Sequence, residues 1–139
     1  MTDRAMELVV EAGKTMLENG GEVFRAQETM EIMARSLGVQ GFHVYVLTNG
    51  IFASAESEAG ELSAVRHIPR VRIHLGRVEA VNALSRQLAA GGMDLAGAEA
   101  ALAEARALPE YGRRLAWLAG AVGSACFGYL FGGGAQEVI

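Results

Sequence analysis

The chain has 139 residues, a formal net charge of −4, one lysine (Lys14) and one cysteine (Cys126). That length holds one domain, or one domain with a short appendage. The acidic balance, without a basic cluster or an aromatic ladder, argues against a nucleic-acid partner. A single cysteine excludes a disulfide frame or a cysteine metal site within one chain, and it fits a reducing compartment.

Charges begin at once in Met1-Thr2-Asp3-Arg4, with no apolar stretch of the kind a signal peptide carries. The first helix is expected from Asp3 to Glu18, because Met6, Val9, Val10, Gly13, Met16 and Leu17 repeat at three-and-four spacing. Asn19-Gly20-Gly21 ends it, since glycine accepts the left-handed turn of a helix C-cap. A second helix, Glu22 to Leu37, buries Val23, Ala26, Met30, Met33, Ala34 and Leu37 and stops at Gly38. The short link makes the two an antiparallel hairpin.

The period then changes. Phe42 to Leu47 and Ile51 to Ser54 are rich in β-branched and aromatic residues, and Thr48-Asn49-Gly50 between them carries the Asn-Gly signal of a two-residue hairpin turn. Glu56 to Gly60 reads as a polar turn. A third strand, Leu62 to Ile68, halts at Pro69 and resumes through Val71-Arg72-Ile73. Its Arg66, Arg70 and Arg72 share one parity, which on a continuous strand is one face. A third helix starts near Leu75, with Val78, Val81, Leu84 and Leu88 inward, and ends at Gly91-Gly92. Asp94 caps a fourth, alanine-rich helix from Leu95 to Leu108, closed by Pro109.

The last stretch is the one that divides the chain. Leu115 to Ala135 carries no charge between Arg114 and Glu137, and about 20 helical residues cross one hydrocarbon core of about 30 Å. Arg113 and Arg114 stand before it as a cytoplasmic anchor does. Gly120, Ser124, Gly128 and Gly132 recur every fourth residue, a stripe that packs helices closely, with Gly128 to Gly132 a GxxxG match. A buried core helix has a similar composition, and Gly132-Gly133-Gly134 would fray in water. Length and flanking arginines favour a membrane span. The expected fold is therefore α+β: a helical hairpin, a small antiparallel three-stranded sheet, two further helices, then one C-terminal transmembrane helix. Residues 1–112 form the α+β domain and 113–136 the span.

Several of these segments, in the same order, resemble the threonine/serine exporter family. They are Ala12-Gly13, Leu17-Glu18-Asn19-Gly20-Gly21-Glu22, Arg25 and Glu28-Thr29 at the start, then Thr48-Asn49-Gly50-Ile51-Phe52. Val81-Asn82-Ala83-Leu84-Ser85-Arg86 and Phe131-Gly132-Gly133-Gly134 follow. The resemblance implies an integral membrane transporter with a cytosolic N-terminal domain, placed in the inner or plasma membrane, that exports small amino or organic acids. It also implies more membrane helices than the single one found here, in the same polypeptide or in a partner subunit. One helix encloses no substrate route unless it oligomerises or finds partners. The expected partners are thus the remaining membrane half, membrane lipid and further copies of the chain, with no cofactor.

Candidate substrate-binding residues are Glu22, Arg25 and Glu28 at the start of the second helix, and Thr48 and Asn49 at the hairpin turn. An arginine beside first-turn N–H groups suits a carboxylate. Each also has a plain reading: a surface Glu22–Arg25 pair worth a few tenths of a kcal/mol, and ordinary turn chemistry at Thr48 and Asn49. Arg66, Arg70, Arg72 and Arg77 make either a positive rim beside the inner leaflet or a solvated edge balanced by Glu56, Glu58 and Glu61. His43, His67 and His74 fit no zinc spacing. Two other function classes stay open. One is a small hydrolase drawing on Ser54, Ser57 or Ser63 with a histidine and a carboxylate, although no Gly-x-Ser-x-Gly elbow is present. The other is a membrane-anchored assembly module that uses the small-residue stripe.

Overall fold

A computed structural model describes residues 2–109 and 120–125. Its elements run α1 (Thr2–Glu18), α2 (Val23–Ser36), β1 (Gln40–Leu47), β2 (Gly50–Ser57), β3 (Gly60–His67), α3 (Leu75–Ala89) and α4 (Leu95–Arg106). The strands form one antiparallel sheet in the order β1-β2-β3. The chain divides into two compact units, Met1–Leu108 and Pro109–Ile139. The α+β order read from periodicity holds through α4.

The first unit is layered. α1 packs on α2, α3, α4, β2 and β3, while α2 packs on β1 and α3; neither α3 nor α4 packs on a strand. The α1–α2 hairpin is thus the middle layer, between sheet and outer helices. This explains why α1 buries more than the single face that its strongest periodicity marks. Ala5, Leu8, Ala12 and Thr15 are buried along with Met6, Val9, Val10, Met16 and Leu17. Met16, Met30 and Met33 fill the centre without exposure, flexible side chains suited to irregular gaps. Close approach of the two hairpin helices depends on Gly13, where a Cβ would collide with Met30 Sδ and lie 2.8 Å from its Cγ.

Gly20 ends α1 with φ 90°. Gly21 N–H donates to the Met16 carbonyl at 2.7 Å and Gly20 N–H to that of Leu17 at 3.3 Å, the paired bonds of a Schellman cap. Val44, Val46, Ile51, Ala53 and Ala55 face the hairpin from the sheet, as period-two alternation requires.

Three local readings change. The β1–β2 turn consists of Thr48 and Asn49, with Gly50 paired to Leu47 inside the ladder. No described non-glycine residue has positive φ, so this is not the Asn-Gly type I′ turn, which needs positive φ at both central residues. The polar stretch Glu56 to Gly60 is not all turn, because Glu56 pairs with Glu61 and Ser57 with Gly60 in the ladder. Third, β3 ends at His67 and does not resume after Pro69, which removes the shared strand face for Arg66, Arg70 and Arg72. Proline lacks the N–H that a ladder needs.

Residues 120–125 are helical and exposed, and they include Gly120 and Ser124. Gly128, Gly132 and most of the apolar run lie outside the described residues. No helix among the described residues is long and apolar enough to cross a membrane.

Replacing Gly13 by valine should lower unfolding stability by about 1–3 kcal/mol, because the added carbons overpack the hairpin. Urea titration should show that loss, and Met30→Ala in the same chain should recover part of it by vacating the space.

Candidate functional site

A helix that ends inside a protein leaves carbonyls in need of donors. At the end of α1 these donors come from distant parts of the chain. Asn19 is buried, and its Nδ2 donates to the Thr15 carbonyl at 2.6 Å. The connection from β3 to α3 lies along the same end: Arg72 N–H donates to the Glu18 carbonyl at 2.8 Å and His74 N–H to that of Asn19 at 3.0 Å. His74, buried, then caps α3 by accepting from Arg77 N–H at 3.1 Å through Nδ1.

Arg77 joins three elements. Its Nε and Nη2 donate to the Leu108 carbonyl just past α4, at 3.0 and 2.6 Å, and Nη1 donates to Asn19 Oδ1 at 3.2 Å. One planar fork thus ties the α1–α2 turn, the start of α3 and the point where the chain leaves the domain. A charge-assisted fork of this kind is worth more than neutral hydrogen bonds. Its cation also sits at two helix C-termini, where the dipoles favour positive charge.

Beside this fork opens a polar cavity of about 270 Å³, lined by Thr15, Glu18, Asn19, Arg70, Arg72, Arg77 and Arg106. The space is of small-metabolite size, and of its four arginines Arg77 is held by Leu108 and Asn19 while Arg106 pairs with Glu11 Oε2 at 3.4 Å. Arginine forks match a carboxylate, and Glu18 with the α1 carbonyls suits an ammonium group. The arrangement fits a small zwitterion or carboxylic acid.

Arg66 plays a different part from the other arginines. On β3 it bridges Glu7 Oε2 at 2.6 Å and Glu11 Oε1 at 2.7 Å, fastening the sheet to α1. The Glu11 hydrogen bond, helped by Glu7 and opposed by burial, pushes the Arg66 pKa further up. A raised pKa stabilises the fold below the unfolded value and fades only as pH passes the folded one. Both lie above the physiological range, so this clamp is constant with ordinary pH.

The five candidate substrate residues are all exposed and none lines the cavity. Glu22 is the N-cap of α2 without a side-chain capping bond, and no ion pair joins it to Arg25 among the described residues. Arg25 and Glu28 stand on the outer side of α2. Thr48 and Asn49 occupy the hairpin turn, where the Asn49 carbonyl accepts from Ile68 N–H at 2.9 Å. Three cavity arginines, Arg70, Arg72 and Arg77, were already visible as a charge cluster in the sequence. Thr15, Glu18, Asn19 and Arg106 were not, because nothing local shows that α4 ends over the last turn of α1.

The hydrolase groups are only partly assembled. His43 lies opposite Ser54, and Ser54 opposite Ser63, on the outer face of the sheet. No hydrogen bond joins them among the described residues. Ser57 lines a separate hollow with Thr2, Asp3, Glu58 and Ala59, which has no histidine. Among the described residues, no three His, Cys, Asp or Glu side chains converge as metal ligands would.

The ThrE family model, described as "Putative threonine/serine exporter", matches residues 7–139. The chain belongs to this family. No curated protein and no solved structure matches it. The exporter family's match starts within α1 and includes every cavity residue. Its segment around Val81 and Ser85 also has a packing role here. Both are buried, and Ser85 Oγ donates to the Asn82 carbonyl at 2.7 Å.

Removing the fork with Arg77→Ala should destabilise the protein by about 2–3 kcal/mol, in line with charged hydrogen bonds. Amide exchange near residues 103–108 should rise with it. Arg77→Lys should recover only part, because an ammonium does not span two acceptors as a planar fork does.

Proposed function

We propose that residues 1–112 are the cytosolic domain of a threonine/serine exporter-like transporter in the inner or plasma membrane, and that 113–136 form its first membrane helix. The carrying observation is the family match from residue 7 to 139. The domain's contribution is capture of a small amino or organic acid. The exposed set Glu22, Arg25, Glu28, Thr48 and Asn49 meets the solute or the transport machinery first, and the arginine-lined cavity receives its carboxylate. The cavity supports this reading by composition, since it sets arginine beside glutamate, the two charge types that an amino acid's carboxylate and ammonium would meet. A transport route needs further helices, from additional copies or from a partner membrane subunit. In that assembly the stripe Gly120, Ser124, Gly128 and Gly132 serves close helix packing.

Two measurements test the reading. In cell fractionation with alkaline carbonate washing, the full chain should stay in the membrane, and a version ending at Gly112 should be released. Release of the full chain would remove the span. In calorimetry on the detergent-solubilised full chain, L-threonine or L-serine should bind. Arg70→Ala should weaken that binding about tenfold or more, the effect of one charge-assisted hydrogen bond. Equal binding by the variant would remove the cavity from the capture step.

A further inference from the structure

The connection between β3 and α3 is extended where it lies against the end of α1, and it alternates. Arg72 and His74 turn their N–H groups to the Glu18 and Asn19 carbonyls. The residues before, between and after them are apolar and face outward: Val71 is 55% exposed, Ile73 82% and Leu75 66%. Phe24, 73% exposed, opens the helix that leaves the same turn. Ile73 reaches that turn, with Cγ1 3.5 Å from the Cβ position of Gly20. Four large apolar side chains therefore project from one end of the domain. Exposed Arg25, Arg70 and Arg72 stand beside them.

Large apolar residues interleaved with arginines are the composition of a surface that lies in a lipid interface. The apolar groups enter the headgroup boundary and the cations meet the anionic phosphates of a charged leaflet. The path of the chain favours the same occupant. Arg77 fixes Leu108 to the α1–α2 turn, so the chain leaves the domain at this end. Six residues, 109–114, then separate Leu108 from Leu115, where the apolar run starts. A fully extended tether of that length reaches about 25 Å at most, so a bilayer that receives the run lies within that distance of Leu108.

We infer that Phe24, Val71, Ile73 and Leu75, flanked by Arg25 and Arg70, seat this end of the domain in the interface of an anionic bilayer. The seat rests on the membrane reading given above and adds an orientation to it: the arginine-lined cavity opens next to the lipid surface. Soluble anions are not the occupant, because they offer nothing to four apolar side chains.

The test uses the full chain with Cys126→Ser, reconstituted in phosphatidylcholine vesicles with and without phosphatidylglycerol. A nitroxide is attached through Phe24→Cys or Ile73→Cys, and, as a reference, through Glu61→Cys, beside the β2–β3 turn at the other end of the sheet. Collision with dissolved oxygen and with a water-soluble nickel chelate is then measured. The labels at positions 24 and 73 should be open to oxygen and shielded from nickel in the anionic vesicles, with position 61 open to nickel. Adding Arg70→Glu should raise nickel access at position 73 severalfold. Nickel access at 24 and 73 equal to that at 61 would overturn the interface seat. So would shielding from both reagents, which marks a protein partner or a second copy. Carbonate washing of the same vesicles separates the two levels of the reading. A chain that stays while its labels are aqueous loses only the seat, and a chain that washes off loses the span and the seat together.

Discussion

The end of a buried helix sets the terms for this domain. α1 runs through the middle layer, and its last carbonyls have little water to turn to, so each needs a donor from the protein. Thr15 receives the Asn19 amide, Met16 and Leu17 receive Gly21 and Gly20, and Glu18 and Asn19 receive Arg72 and His74. These bonds fix the turn into α2 and draw the β3–α3 connection across the helix end. They also place His74 to start α3, whose third residue, Arg77, then secures the exit of α4. Four segments far apart in the chain meet because one helix terminus has to be satisfied.

The same requirement explains the charge. Helix C-termini are regions of negative potential, and α1 and α4 bring theirs to one place. Arginines gather there at little electrostatic cost, and Arg77 is consumed by the carbonyls themselves. Arg106, at the end of α4, pairs with Glu11 Oε2 at 3.4 Å, so the positive charge that the cavity could offer a solute rests chiefly on Arg70. Arg66 shows the contrast. It is fully occupied by Glu7 and Glu11 in a clamp between strand and helix, so its role is structural although it reads as part of the same charge cluster.

What the sequence disclosed follows from the range of each signal. Helix ends at Gly20, Gly38 and Gly91 were readable because a left-handed cap is a local demand, and all three have positive φ. Periodicity placed α1 to α4 and the three strands to within a few residues. It missed the second buried face of α1, since Ala5, Ala12 and Thr15 are small or polar and carry little weight in a hydrophobic pattern, which left Leu8 without apolar neighbours to mark a face. The β1–β2 turn was placed one residue late because the Asn-Gly pair is a strong local motif that the register overrode: Gly50 is needed opposite Leu47 and His67. The cavity was half visible. Its arginines cluster in sequence, whereas Thr15, Glu18, Asn19 and Arg106 come together only through the layer packing.

Two exposed apolar surfaces remain on the domain, and they differ in kind. On the outer sheet face Tyr45, Phe52 and Val65 form a cross-strand row, with His43, Ser54 and Ser63 beside it. Such a row stabilises the sheet through its own side-chain pairs, whatever covers it. Val71, Ile73 and Leu75 have no strand partner across from them, because the ladder stops at His67. Their outward direction is dictated by the backbone bonds that satisfy α1, so the fold supplies the orientation and nothing in the sheet rewards it. Arg72 and His74 separate them on the sequence, and the chain's exit lies at the same end. We read an apolar edge left this exposed as a surface for a partner outside the domain. For a member of an exporter family, the lipid surface is the nearest partner that accepts both its apolar groups and its cations.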